Sequence, residues 1–78
     1  MNQQLIFNND FYYERDKAAI GFSCLVAGLK VSCFIPLVIT DNPEQALSQV
    51  KAEAFTWEDK AELAISKDSY NEFGEIWL

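Results

Sequence analysis

The chain has 78 residues, half of them apolar and 23% charged, enough for one globular domain spanning 1–78 and too few for two. Its net charge is −6 and it has no histidine, so the commonest general base and the commonest metal ligand are both missing. The charge excess is local: Met1–Thr40 carries three acids against three bases, and Asp41–Leu78 carries nine acids against three lysines. One arginine and five scattered lysines cannot neutralise a run of phosphates, so neither direct nucleic-acid contact nor adhesion to anionic lipid is expected.

Lys30 interrupts the most hydrophobic region well short of the roughly 20 apolar residues a membrane-spanning helix needs. The opening Met-Asn-Gln-Gln lacks the basic, then apolar, pattern of a secretory leader. Both features predict a cytoplasmic location without membrane contact. In a reducing compartment two cysteines are expected as small core residues rather than a bridge.

In chain order, Gln4 to Phe7 reads as a short first strand, and Asn8-Asn9-Asp10 is a group of turn formers. Phe11-Tyr12-Tyr13 is expected either to pair weakly or to cover one sheet face. The clearest signal is a hairpin over 18–39. Ile20, Phe22, Cys24 and Val26 alternate with Ala19, Gly21, Ser23 and Leu25; after Ala27-Gly28, Leu29, Val31, Cys33 and Ile35 alternate with Lys30, Ser32 and Phe34. A turn at Ala27-Gly28 sets Val26 opposite Leu29, Cys24 opposite Val31, Phe22 opposite Cys33 and Ile20 opposite Ile35, which gathers these apolar residues on one side. Gly28 supplies the positive φ of a short hairpin turn. Pro36 limits the second strand because it lacks the N–H of a central ladder position, leaving Leu37-Val38-Ile39 as an edge continuation or an irregular turn.

Asp41-Asn42-Pro43-Glu44 is a helix start, with an Asp or Asn cap, a proline whose missing N–H costs nothing, and an acid in the first turn. From there Leu47, Val50, Ala54, Trp57, Ala61, Ala64 and Ile65 form one apolar stripe, opposite a solvated face of Glu44, Lys51, Glu58 and Glu62. The unbroken stripe predicts a single helix of about 24 residues, roughly 36 Å long. A break near Phe55, with Thr56 and Asp59 as a capping box, is the alternative. Tyr70-Asn71-Glu72-Phe73-Gly74 reads as a loop and Glu75–Leu78 as a terminal strand. One striped helix and one sheet face bury each other, which predicts a two-layer α+β domain: an antiparallel sheet of about four strands, hairpin central, packed on one long helix in the C-terminal half.

Phe7, Tyr12, Ala19-Ile20, Phe22, Gly28, Val31, Cys33 and Ile35, together with the ending Tyr-Asn-Glu-Phe-Gly-Glu-Ile-Trp-Leu, resemble the small bacterial domain-of-unknown-function family 1488 over nearly the whole chain. The resemblance implies an α+β fold and no established activity. A transcriptional-regulator label on some members implies an indirect regulatory role as an alternative. The family pattern often has an arginine where Ala54 stands here, and a short helix where this chain has Pro36, so no site carries over from it.

The chemistry-bearing residues have plainer readings. Cys24 and Cys33 lie on one face in neighbouring rows, a diagonal relation too long for an unstrained bridge, with apolar neighbours that raise a thiol pKa. Glu58, Asp59 and Glu62 are a solvated helix face without convergent ligands. Asp68, Asn71 and Glu72 lack the spacing of a calcium loop, and three isolated glycines make no phosphate cradle. The serines have no histidine to activate them. No catalytic, cofactor-binding or metal residue is therefore expected, and no small-molecule ligand is indicated.

The aromatic excess, 14% of the chain, exceeds these needs. Leu25, Phe34 and Val38 are expected on the sheet face that the helix leaves bare. Phe11, Tyr12 and Tyr13 would shield that face, or a second protomer would, which makes all six candidate interface residues. The expected function is a non-enzymatic protein-interaction module, acting as a homodimer through that face or by presenting its acidic helix to a basic partner. Enzymatic activity is a residual reading.

Overall fold

The computed structural model describes residues 4–78; the first three residues of the opening read above as leaderless lie outside them. The architecture is α+β, a mixed five-stranded sheet with two helices.

The first edge of the sheet comes in two pieces. β1 (Leu5–Phe7) and β2 (Tyr12–Glu14) each pair antiparallel with β3 (Ala19–Val26). Both lie along the edge opposite β4 (Leu29–Pro36), which pairs with the full length of β3. The turn formers Asn8–Asp10 cause the split: Asn9 takes a φ of 57°, in the left-handed region that asparagine tolerates. One 3-10 turn, Arg15–Lys17, leads from β2 into β3. The β3–β4 register has the four expected pairs, Ile20 with Ile35, Phe22 with Cys33, Cys24 with Val31 and Val26 with Leu29. Ala27 and Gly28 both have positive φ, 51° and 86°, the backbone of a two-residue turn whose twist matches its strands.

β4 ends at Pro36, and the following segment is a turn rather than an edge continuation. Asn42 then caps α1 (Pro43–Ala52), its Oδ1 accepting from the N–H groups of Glu44 and Gln45. The single long helix is not what forms. Glu53 leaves helical geometry, at φ −109° and ψ 29°, and α2 (Ala54–Ser66) begins beyond it with no side-chain cap, so the Thr56–Asp59 capping box is not made. Length supplies the physical reason: a straight helix of roughly 36 Å would overrun eight-residue strands of about 27 Å. The stripe nevertheless survives the break, because Val50, Ala61 and Ile65 are buried and Leu47, Trp57 and Ala64 pack beside them.

The second correction concerns the last strand. β5 (Ile76–Trp77) lies beside β4 and runs parallel to it, Cys33 opposite Ile76 and Phe34 opposite Trp77. A parallel pair needs a crossover, and the two helices provide it. The core lies between the helices and one sheet face, with Ile20, Phe22, Cys24, Cys33 and Ile76 its largest fully buried side chains. No helix among the described residues is long and apolar enough to cross a membrane.

Candidate functional site

The helix-free face of the sheet is built around one cross-strand row, Tyr12, Gly21, Phe34 and Trp77. Two neighbouring pairs of the row are in contact, Tyr12 over Gly21 and Trp77 on Phe34. Gly21 leaves room for the Tyr12 ring: a Cβ there would lie 2.6 Å from Tyr12 Cζ. Trp77 stacks on Phe34 with centroids 5.0 Å apart at 29°, and Lys17 Nζ sits 5.3 Å from the Phe34 centroid. Lys17 also pairs with Glu75 at 3.5 Å, and Trp77 Nε1 donates to Glu75 Oε1 at 3.2 Å. Hydrogen bonds from Asn71 and then Trp77, with Lys17 alongside, hold the Glu75 carboxyl below its ordinary value. Burial, then the carboxylates of Glu14, Asp10 and Glu75, raise the Tyr12 phenol.

The six residues singled out in the sequence therefore separate. Phe34 is on the bare face but only 3% exposed. Tyr12 and Trp77 flank it at 40% and 39%, and Ile6, opposite Leu25, adds 46% at the β1 end of the same face. Leu25 is half-buried. Phe11 turns to the other side and packs on Phe22 at 5.0 Å; Tyr13, opposite Ile20, shares that side. Val38 lies beyond the sheet in the β4–α1 turn, its N–H donating to Asp41. Trp77 was missed in the sequence, because only the parallel docking of β5 brings it to Phe34.

A polar staple fills the gap between β1 and β2. Asp10 accepts from Ser23 twice, at Oδ1 from the backbone N–H, 2.8 Å, and at Oδ2 from the hydroxyl, 2.5 Å. Asn8 Nδ2 donates to Ser23 Oγ at 2.9 Å. The carboxylate thus replaces the strand carbonyl that the split removes, and Ser23, 2% exposed, is closed to solvent. Cys24 and Cys33 are free and buried; the neighbouring Cys24 thiol, then burial, pushes the Cys33 thiol above its ordinary value. Asn71 Oδ1 accepts from the Phe73 and Glu75 N–H groups, which commits it to its own loop rather than to an ion.

A family model described as a protein of unknown function, DUF1488, matches residues 5–78. The chain belongs to the DUF1488 family. It is similar to the uncharacterized protein YrdB of Escherichia coli K12, 29% identical, and to YrdB of Shigella flexneri, 27% identical. Each alignment covers 100% of this chain and 99% of the relative. A crystal structure of a DUF1488 protein of unknown function from Shewanella loihica PV-4 superposes with a TM-score of 0.88 at 28% identity, over 100% of this chain and 94% of that one. The residues that carried the resemblance now have positions. Phe7 and Phe22 line the core, Gly28 makes the hairpin turn, and the Tyr70–Leu78 ending forms the loop and strand that cover Phe34.

Proposed function

We propose that the protein is a non-enzymatic module that works by protein contact, and that its contact surface is the helix-free sheet face meeting a second copy of itself. The observation that carries this reading is the partial exposure of Ile6, Tyr12 and Trp77 on one continuous face beside half-buried Leu25. Apolar side chains left half-open on a sheet are the core of an interface rather than of a solvated surface. Such a face pairs with itself about a two-fold axis. Support for the non-catalytic part comes from the nucleophiles of the sheet: Ser23, Cys24 and Cys33 are shut off from any substrate.

Light scattering over a dilution series, at low and high salt, tests the reading. The dimer is expected to persist in high salt, because apolar contact is not screened. Ile6→Glu, at an exposed position, is expected to shift the mass to monomer while the far-ultraviolet circular dichroism stays that of the folded chain. A clean monomer at every concentration would refute it.

A further inference from the structure

A second surface lies on the helix side. Where β4 runs out, Ile35 and Leu37 face Ala46 and Val50 of α1, Glu53 at the helix break, and Trp57 of α2, around a cleft of about 230 Å³. The break at Glu53 keeps α1 and α2 from being one rod, and the cleft opens beside that break. Its floor is apolar, with Ile35 and Val50 nearly fully buried. Its polar lining is Asp41, Gln49 and Glu53, with no lysine or arginine among the lining residues. We propose that this cleft takes a basic side chain, arginine before lysine, from a segment of a partner protein.

Two observations select that occupant. First, the volume is below the roughly 300–1,000 Å³ of sites that engulf a whole ligand, and fits one long side chain. Second, an apolar floor under an acidic rim matches the two ends of arginine, a methylene stem and a cation that is comfortable only beside carboxylates. An anion would be repelled by the carboxylates of Asp41 and Glu53. The surroundings steer in the same direction, since residues 41–66 carry six acids against two lysines. The surface is separate from the sheet face, so a monomer and a dimer would both present it.

The test is a titration of the ¹⁵N-labelled full chain with a capped peptide of alternating arginine and alanine, and with the same peptide carrying glutamine for arginine. Saturable shifts are expected at the amides of Leu37, Gln49 and Glu53 and at the Trp57 indole, with none from the glutamine peptide. Asp41→Asn with Glu53→Gln should weaken binding at least about tenfold. Asp41→Asn keeps an oxygen for the Val38 N–H, and Glu53→Gln alone, at an exposed position, serves should the pair disturb the turn. Glu58→Gln with Glu62→Gln removes the same charge outside the cleft and should cost less than about threefold. Equal losses from the two pairs would mean that the peptide reads net charge alone. That result, shifts confined to the Tyr12–Trp77 face, or no saturable shift would each overturn the proposal.

Discussion

Gly21 lies under the ring of Tyr12, and any side chain placed there displaces that ring. Its neighbour across the edge, Tyr12, lays its ring where a Cβ would be, at 2.6 Å from Cζ and 2.8 Å from the hydroxyl oxygen. Gly21→Ala must therefore move the ring, because a real Cβ never comes that close. Because the ring is 40% exposed and can swing outward, the expected cost is below about 1 kcal/mol, read from the urea midpoint. Tyr12→Ala on top of Gly21→Ala should recover most of it, since the two changes act on one contact and are not additive. Independent costs for the pair would mean that the ring does not cover Gly21 in solution. Glu75 offers a residue-scale test in pH. Its folded pKa is depressed, so the stability it contributes is present above the ordinary carboxylate value and is lost as pH falls through the lower folded value. Glu75→Gln should flatten the decline in stability between about pH 5 and pH 3 while leaving Trp77 an acceptor. A mutant with an unchanged pH slope would contradict this.

Among the elements, the β3–β4 hairpin was legible to the level of individual partners. Alternation fixes which side chains share a face, and a two-residue turn fixes the register, so one choice determines the other. The turn itself is imperfect in a useful way. Ala27 sits at φ 51°, a conformation that asparagine tolerates and alanine resists. Ala27→Asn is expected to stabilise the domain by about 0.5–1 kcal/mol, visible as a higher thermal midpoint. A lower midpoint would show the turn to be of another type. The helix break was legible only as the alternative near Phe55, two residues from its place at Glu53, because a one-residue interruption leaves the three-and-four spacing of the stripe intact and so favours a single helix. The direction of β5 was not legible: two residues carry no periodicity, and parallel docking is dictated by the crossover before it. The acidic cleft depends on both features and so stayed hidden, as did the covering of Phe34 by Trp77. The half-open face was visible in part, since Leu25 and Phe34 were assigned to it by alternation alone.

At the scale of the whole molecule, the core is closed by the part of the chain that comes last. Ile76 is fully buried although its strand has two residues, and it packs in the same cluster as Ile20, Phe22 and Cys33. Ile76→Ala should cost about 2–5 kcal/mol, as at any well-packed interior site, and should lower the urea midpoint in one cooperative transition. A loss under about 1 kcal/mol would mean that β5 detaches without consequence for the rest. The edges of the sheet carry a different consequence. One is interrupted by the Asp10 staple between β1 and β2, and the other carries the two-residue β5, which covers β4 only at Cys33 and Phe34. The split edge offers no long row of unpaired amides to a neighbouring chain, and edge-to-edge addition, which has no natural end, is disfavoured there. In the proposed dimer, association through the face would end at two copies, because a flat patch once covered has nothing left to offer a third. The interruption that looks like a defect in the first strand removes one route to open-ended edge pairing.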